Sequence, residues 1–192
     1  RYTVGVGAGT YTETISVPSH VRLMGSGAEE TIIDSQTISE TVVTFDGVVG
    51  SEMNGFTVRA HPNTTAIGVT GASNAVTITR NIIETWNETS DASAVAFSGR
   101  ATGRVAFNTL ASGIGMRDSD TPEDQRDSGV SSAGPGTWVE VENNVFTGPL
   151  NRQEEGCHSF HSGHFYGLRT KDSGQIFNGY NLLHSFGPYQ DD

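Results

Sequence analysis

Apolar residues along this chain recur at every second position in short runs: Val43 and Phe45, Ile67 and Val69, Val76 and Ile78, Val95 and Phe97, Val105 and Phe107, Ile114 and Met116, Val139 and Val141. Thr, Ser, Arg and Glu stand between them. Period-two alternation over runs this short predicts strands with one face turned inward and the other to water. These pairs are therefore the expected inward stack.

A second pattern lies over the first. Glu52-Met53-Asn54-Gly55-Phe56, Ile78-Thr79-Arg80-Asn81-Ile82, Val105-Ala106-Phe107-Asn108-Thr109, Val141-Glu142-Asn143-Asn144-Val145 and Gly179-Tyr180-Asn181-Leu182 share one plan: a strand, an asparagine, another strand. With Asn54, Asn81, Asn108, Asn144 and Asn181 as markers, the spacings are 27, 27, 36 and 37 residues. A unit of this length, repeated, is the signature of a solenoid. Asparagine suits a fixed corner because it tolerates left-handed backbone geometry and hydrogen-bonds locally. Stacked coil on coil, these residues predict an internal amide ladder. The reading is an all-β, right-handed parallel β-helix with coils of about 27 residues and two enlarged C-terminal coils, forming one domain over residues 1–192.

Composition agrees with strands and turns. The 192 residues include 24 glycines and lack runs rich in Ala, Leu, Glu and Lys. The net charge of −11 disfavours nonspecific nucleic-acid binding and adhesion to anionic membranes, because both require a basic face. No apolar run reaches the length of a membrane span, so no membrane insertion is expected. Cys157 is the single cysteine, which rules out an internal disulfide. Sequons at Asn63 and Asn87 permit glycosylation in a secreted protein.

The opening Val6-Gly7-Ala8-Gly9-Thr10-Tyr11-Thr12-Glu13-Thr14-Ile15-Ser16-Val17-Pro18, with Val21-Arg22-Leu23-Met24-Gly25-Ser26-Gly27 and Thr31-Ile32-Ile33-Asp34, resembles the first coils of the pectin-lyase-like superfamily. That superfamily includes pectate lyases, pectin methylesterases, polygalacturonases, tailspikes and surface proteins. The resemblance implies the β-helix fold, and its matching residues are turn and core positions rather than catalytic ones. The paired aspartates and arginine of pectin methylesterases find no matching strand context. Of the polygalacturonase signatures only Gly163-His164-Phe165 and Arg169-Thr170-Lys171 offer partial matches, and Arg152 or Arg169 could stand for a pectate lyase arginine. The superfamily's amphipathic helix cap is replaced by strand-like Tyr2-Thr3-Val4. The chain is therefore expected to be part of a larger protein or assembly, with neighbouring copies or parent-protein domains at its uncapped ends.

Candidate chemistry falls in the two enlarged coils, whose extra residues are expected at 117–137 and 148–174. Clustered carboxylates there, with Asp118 and Asp120 the closest pair, could hold calcium or act as the acid and base of a glycoside hydrolase. His164 and Arg169 complete the candidate catalytic set. His158, His161 and His164 beside Cys157 raise a zinc or copper reading, although a spacing of three sends strand side chains to opposite faces. Trp138 and Tyr166 are the candidate substrate-binding aromatics, in a C-terminal third also carrying Phe160, Phe165, Tyr180 and Tyr189. Two functions follow. One is a noncatalytic extracellular, cell-surface or virion module, a spike, fibre, adhesin or surface-layer segment, presenting loops to glycans or neighbouring subunits. The other is a lyase or hydrolase of acidic polysaccharide.

Overall fold

Short strands with one apolar face hold only when that face is stacked on neighbours. In the computed structural model, which describes residues 1–35, 40–62, 64–87, 92–114, 126–147 and 164–184, the strands collect into three sheets. The first contains β1 (Tyr2–Val6), β4 (Val21–Gly25), β7 (Glu52–Asn54), β10 (Val76–Thr79), β13 (Thr102–Ala106), β16 (Trp138–Glu142) and β19 (Gln175–Gly179). The second contains β2 (Gly9–Tyr11), β5 (Thr31–Asp34), β8 (Thr57–Pro62), β11 (Ile82–Asn87), β14 (Thr109–Ile114), β17 (Val145–Thr147) and β20 (Leu182–His184). The third contains β3 (Ile15–Ser16), β6 (Val43–Asp46), β9 (Ile67–Thr70), β12 (Ser93–Ser98), β15 (Arg126–Ala133) and β18 (His164–Lys171). Every third strand pairs in parallel with the one before it, so each coil gives one strand to each sheet. This is a parallel β-helix.

Register stacks like on like. Leu23, Met53, Ile78, Val105 and Val141 form one column of the lumen. A second runs through Ile33, Val58, Ile83, Leu110 and Phe146, and a third through Val43, Ile67, Val95 and Val130. All are buried, each contributing about 1.5–3 kcal/mol by leaving water. Large rings fit because glycines face them. A Cβ on Gly129 would lie 2.3 Å from Phe146 Cδ1, and one on Gly103 would lie 2.8 Å from Phe97 Cε1.

The asparagine ladder is present at the corner between the first and second sheets. The Asn81 backbone N–H donates to Asn108 Oδ1 at 2.9 Å and its Nδ2 donates to the same oxygen at 3.2 Å. Asn108 repeats both bonds to Asn144 at 2.9 and 3.1 Å, and Asn144 repeats them to Asn181 at 2.8 and 3.0 Å. Each Nδ2 also reaches a carbonyl of the preceding rung: Met53 from Asn81, Ile78 from Asn108, Val105 from Asn144 and Val141 from Asn181. Buried amides are thus satisfied on every side. The residue before each asparagine is left-handed: Arg80 (φ 54), Phe107 (φ 59), Asn143 (φ 54) and Tyr180 (φ 48). Successive links along this corner span 25, 27, 36 and 37 residues.

Three sequence expectations are corrected. Asn54 is not a rung of the ladder: it lies in register with Thr79 and donates to its Oγ1, while Phe56 occupies the corner and donates its N–H to Asn81 Oδ1. The left-handed residue there is Gly55 (φ 81), which shifts the corner by two positions. Phe107 is not part of the inward stack. As the left-handed corner residue it points outward and is 51% exposed. Finally, the extra residues of the enlarged coils do not fill 117–137 and 148–174, because Arg126–Ala133 and His164–Lys171 are strands of the third sheet. In Arg126–Ala133 the serines and glycine hide the alternation.

Candidate functional site

On the outer face of the first sheet, side chains of successive coils form columns that water can reach. One column runs through Arg22, Glu52, Thr77, Arg104, Glu140 and Phe177. Its charges pair between coils. Arg22 Nε donates to Glu52 at 2.9 Å, with Arg1 at 3.2 Å from the same oxygen. Arg104 lies between Glu142, to which its Nε donates at 2.8 Å, and Glu140 at 3.8 Å. Exposed pairs of this kind give little stability, about 0–1 kcal/mol each, but they hold the side chains in place.

Where that column meets β19 the chemistry changes from ionic to aromatic. Trp138 lies opposite Gln175, and Phe177 opposite Glu140 one rung on, so the two rings are diagonal neighbours. Their centroids are 5.9 Å apart at an interplanar angle of 85°, the edge-to-face arrangement that ring quadrupoles favour. Both remain open to solvent, Trp138 by 42% and Phe177 by 57%. Trp138, Gln175 and Phe177 line a shallow depression of about 440 Å³. The adjoining corner carries Phe107 and Tyr180, the latter 92% exposed.

The other candidates lie elsewhere. Asp118, Asp120, Cys157, His158 and His161 are outside the described residues, as is the Asn63 sequon. His164 and Tyr166 occupy β18, where their backbones pair with Arg126 and Ser128. Arg169 is on the same strand, in register with Ser131, and is half-buried. Trp138 and Tyr166, grouped as substrate-binding aromatics, stand on different sheets, the first and the third, and are not brought together. Gln175 and Phe177 were missed. The spacing of 37 from Asn144 to Asn181 also separates Trp138 from Gln175, and would have placed them beside it.

Within the third sheet, Ser93 shares hydroxyl contacts of 2.8 Å with Ser128 and Ser131. Among the described residues no group of three or more His, Cys, Asp or Glu side chains gathers in a metal-holding arrangement. In the second sheet, the buried His61 Nε2 and Thr85 Oγ1 have no hydrogen-bond partner, at the place where β8 and β11 shift register between Glu84 and Trp86.

Three parallel sheets, one strand of each per coil, and a continuous internal amide ladder from Asn81 to Asn181 define a parallel β-helix protein. Among solved structures the chain resembles a pectin methylesterase from carrot, at 15% sequence identity and a TM-score of 0.46, the match covering 100% of this chain and 76% of that one. No protein-family model and no curated protein matches it.

Proposed function

We propose that this chain is a noncatalytic extracellular module of a cell surface or virion, a stretch of spike, fibre, adhesin or surface layer that gives length and presents its loops to glycans or neighbouring subunits. The observation that carries this reading is the bracing of coil to coil both inside and out. The amide ladder ties Asn81 to Asn181 through the interior, and ion pairs such as Arg22–Glu52 and Arg59–Glu84 tie neighbouring rungs on the surface. A stack braced this way is a stiff spacer whose loops can vary without disturbing it. The strong negative charge favours solubility and partners other than nucleic acid or anionic membrane.

A lyase or hydrolase of acidic polysaccharide is the second reading. It is favoured by the placement of both enlarged coils: each opens between the second and third sheets, on adjacent rungs, from Ile114 to Arg126 and from Thr147 to His164. Asp118, Asp120, His164 and Arg169 would act there, with calcium as a candidate ligand of the carboxylates. The purified chain is incubated with a panel of acidic polysaccharides, with and without calcium, while new unsaturated ends and new reducing ends are followed. The module reading expects neither, together with a stable oligomer or filament by sedimentation. Turnover that disappears in Asp118→Ala and Asp120→Ala would replace it with the enzyme.

A further inference from the structure

We infer that the outer face of the first sheet, at β16 and β19, is a binding site for a neutral oligosaccharide, with Trp138 and Phe177 as the stacking platform and Gln175, Arg104 and Glu140 as its polar rim. This site is separate from the loops that the module reading presents to partners, and does not rest on that reading.

The same face shows why. In the column that Phe177 closes, the earlier coils carry Arg22, Glu52, Thr77 and Arg104, and opposite Trp138 the preceding coil carries Thr102. On two consecutive rungs one outward position then becomes aromatic, Trp138 after Thr102 and Phe177 after Glu140. A single exposed aromatic needs no explanation, but two in edge contact that share a depression with Gln175 form a patch with a shape. The C–H face of a pyranose ring is flat and apolar while its rim carries hydroxyls, which matches a ring platform edged by hydrogen-bonding groups. Gln175 offers both donor and acceptor, Glu140 accepts and Arg104 donates.

Charge and size select the occupant. Arg104 is shared between Glu140 and Glu142, so the flank of the dish carries two carboxylates to one guanidinium, within a chain of net charge −11. A uronate polymer would be repelled, whereas a neutral sugar would not. A second copy of the chain would need far more surface. A stable protein interface takes roughly 800 Å² from each partner, and three residues line this depression. Tyr180, at the left-handed corner that follows β19, places a further exposed aromatic beyond the end of the strand that carries Phe177.

The test is titration of the whole chain with cellohexaose, xylohexaose, mannohexaose and an oligogalacturonide, by calorimetry at low and high salt. At least one neutral hexasaccharide is expected to bind with little salt dependence, and Trp138→Ala to weaken it roughly thirtyfold, the loss typical of a central aromatic anchor. Phe177→Ala should weaken it by a similar factor, with the circular dichroism and thermal midpoint of both variants confirming the fold. Four results would overturn the inference: no neutral sugar binding to the folded chain at millimolar concentration, undiminished binding in both variants, preference for the oligogalacturonide, or a self-association that Trp138→Ala abolishes. The first three leave the module reading untouched, since it stands or falls on turnover and assembly, and the fourth would overturn the sugar site while agreeing with the assembly that the module reading expects.

Discussion

The corner between the first and second sheets takes two residues in its later turns, Phe107 and Asn108, Asn143 and Asn144, Tyr180 and Asn181, whatever the length of the coil. The corner between the second and third sheets runs from Tyr11 to Ile15 in the first coil, but from Ile114 to Arg126 and from Thr147 to His164 in the enlarged ones. At the first, amides are satisfied along the whole ladder. The second follows the stretch of sheet where register shifts and His61 Nε2 and Thr85 Oγ1 stay without partners. One corner fixes the rungs, and that leaves the other free to vary. The early coils build the fixed corner differently: Gly25 and Gly55 approach so closely that a Cβ on Gly25 would lie 2.2 Å from the Gly55 carbonyl oxygen.

The largest effect should come from breaking the ladder in its middle. Asn108→Ala strands the buried Asn81 N–H and withdraws donors from the Ile78 and Ala106 carbonyls, a loss of about 3 kcal/mol at the usual cost of unmade buried hydrogen bonds. It would be read as a lower urea midpoint at unchanged slope. Asn54→Ala, off the ladder with one bond to Thr79, should cost under about 1 kcal/mol. Equal losses for the two would abolish the distinction between ladder and surface asparagines.

Next in size is Gly25→Ala, which should cost about 2 kcal/mol because the clash is with backbone and cannot be relieved by a rotamer. A thermal midpoint within error of the parent would show that the early corner is looser than the later one. At the variable side, Thr85→Val removes an unpaired buried hydroxyl while keeping the volume, and should raise stability by about 1 kcal/mol. A loss instead would mean that the hydroxyl is bonded in solution. Smallest is Tyr180→Gly, which relieves a left-handed backbone at a side chain that packs on almost nothing. The gain should stay below about 1 kcal/mol, since glycine also gains freedom in the unfolded chain.

The repeat was legible because each rung needs the same side chain at the same corner, and Asn81, Asn108, Asn144 and Asn181 announce it. Asn54 misled because Asn54-Gly55-Phe56 resembles the later corners, while the left-handed position that defines the turn belongs to Gly55. Phe107 misled because alternation cannot tell the last residue of a strand from the first of a turn. The binding face was only half legible. Trp138 stood out as a tryptophan, but its partners come from the next coil, and only register reveals which residues those are.

The ladder links Asn81 to Asn108 across 27 residues and Asn108 to Asn144 across 36 by the same pair of hydrogen bonds. It is therefore indifferent to contour length. Trimming or enlarging the stretch between two such asparagines would leave the joint intact, so a coil can change length without its neighbours having to change. Reach and decoration can then evolve independently, one by the number of coils and the other by what each coil carries between its joints.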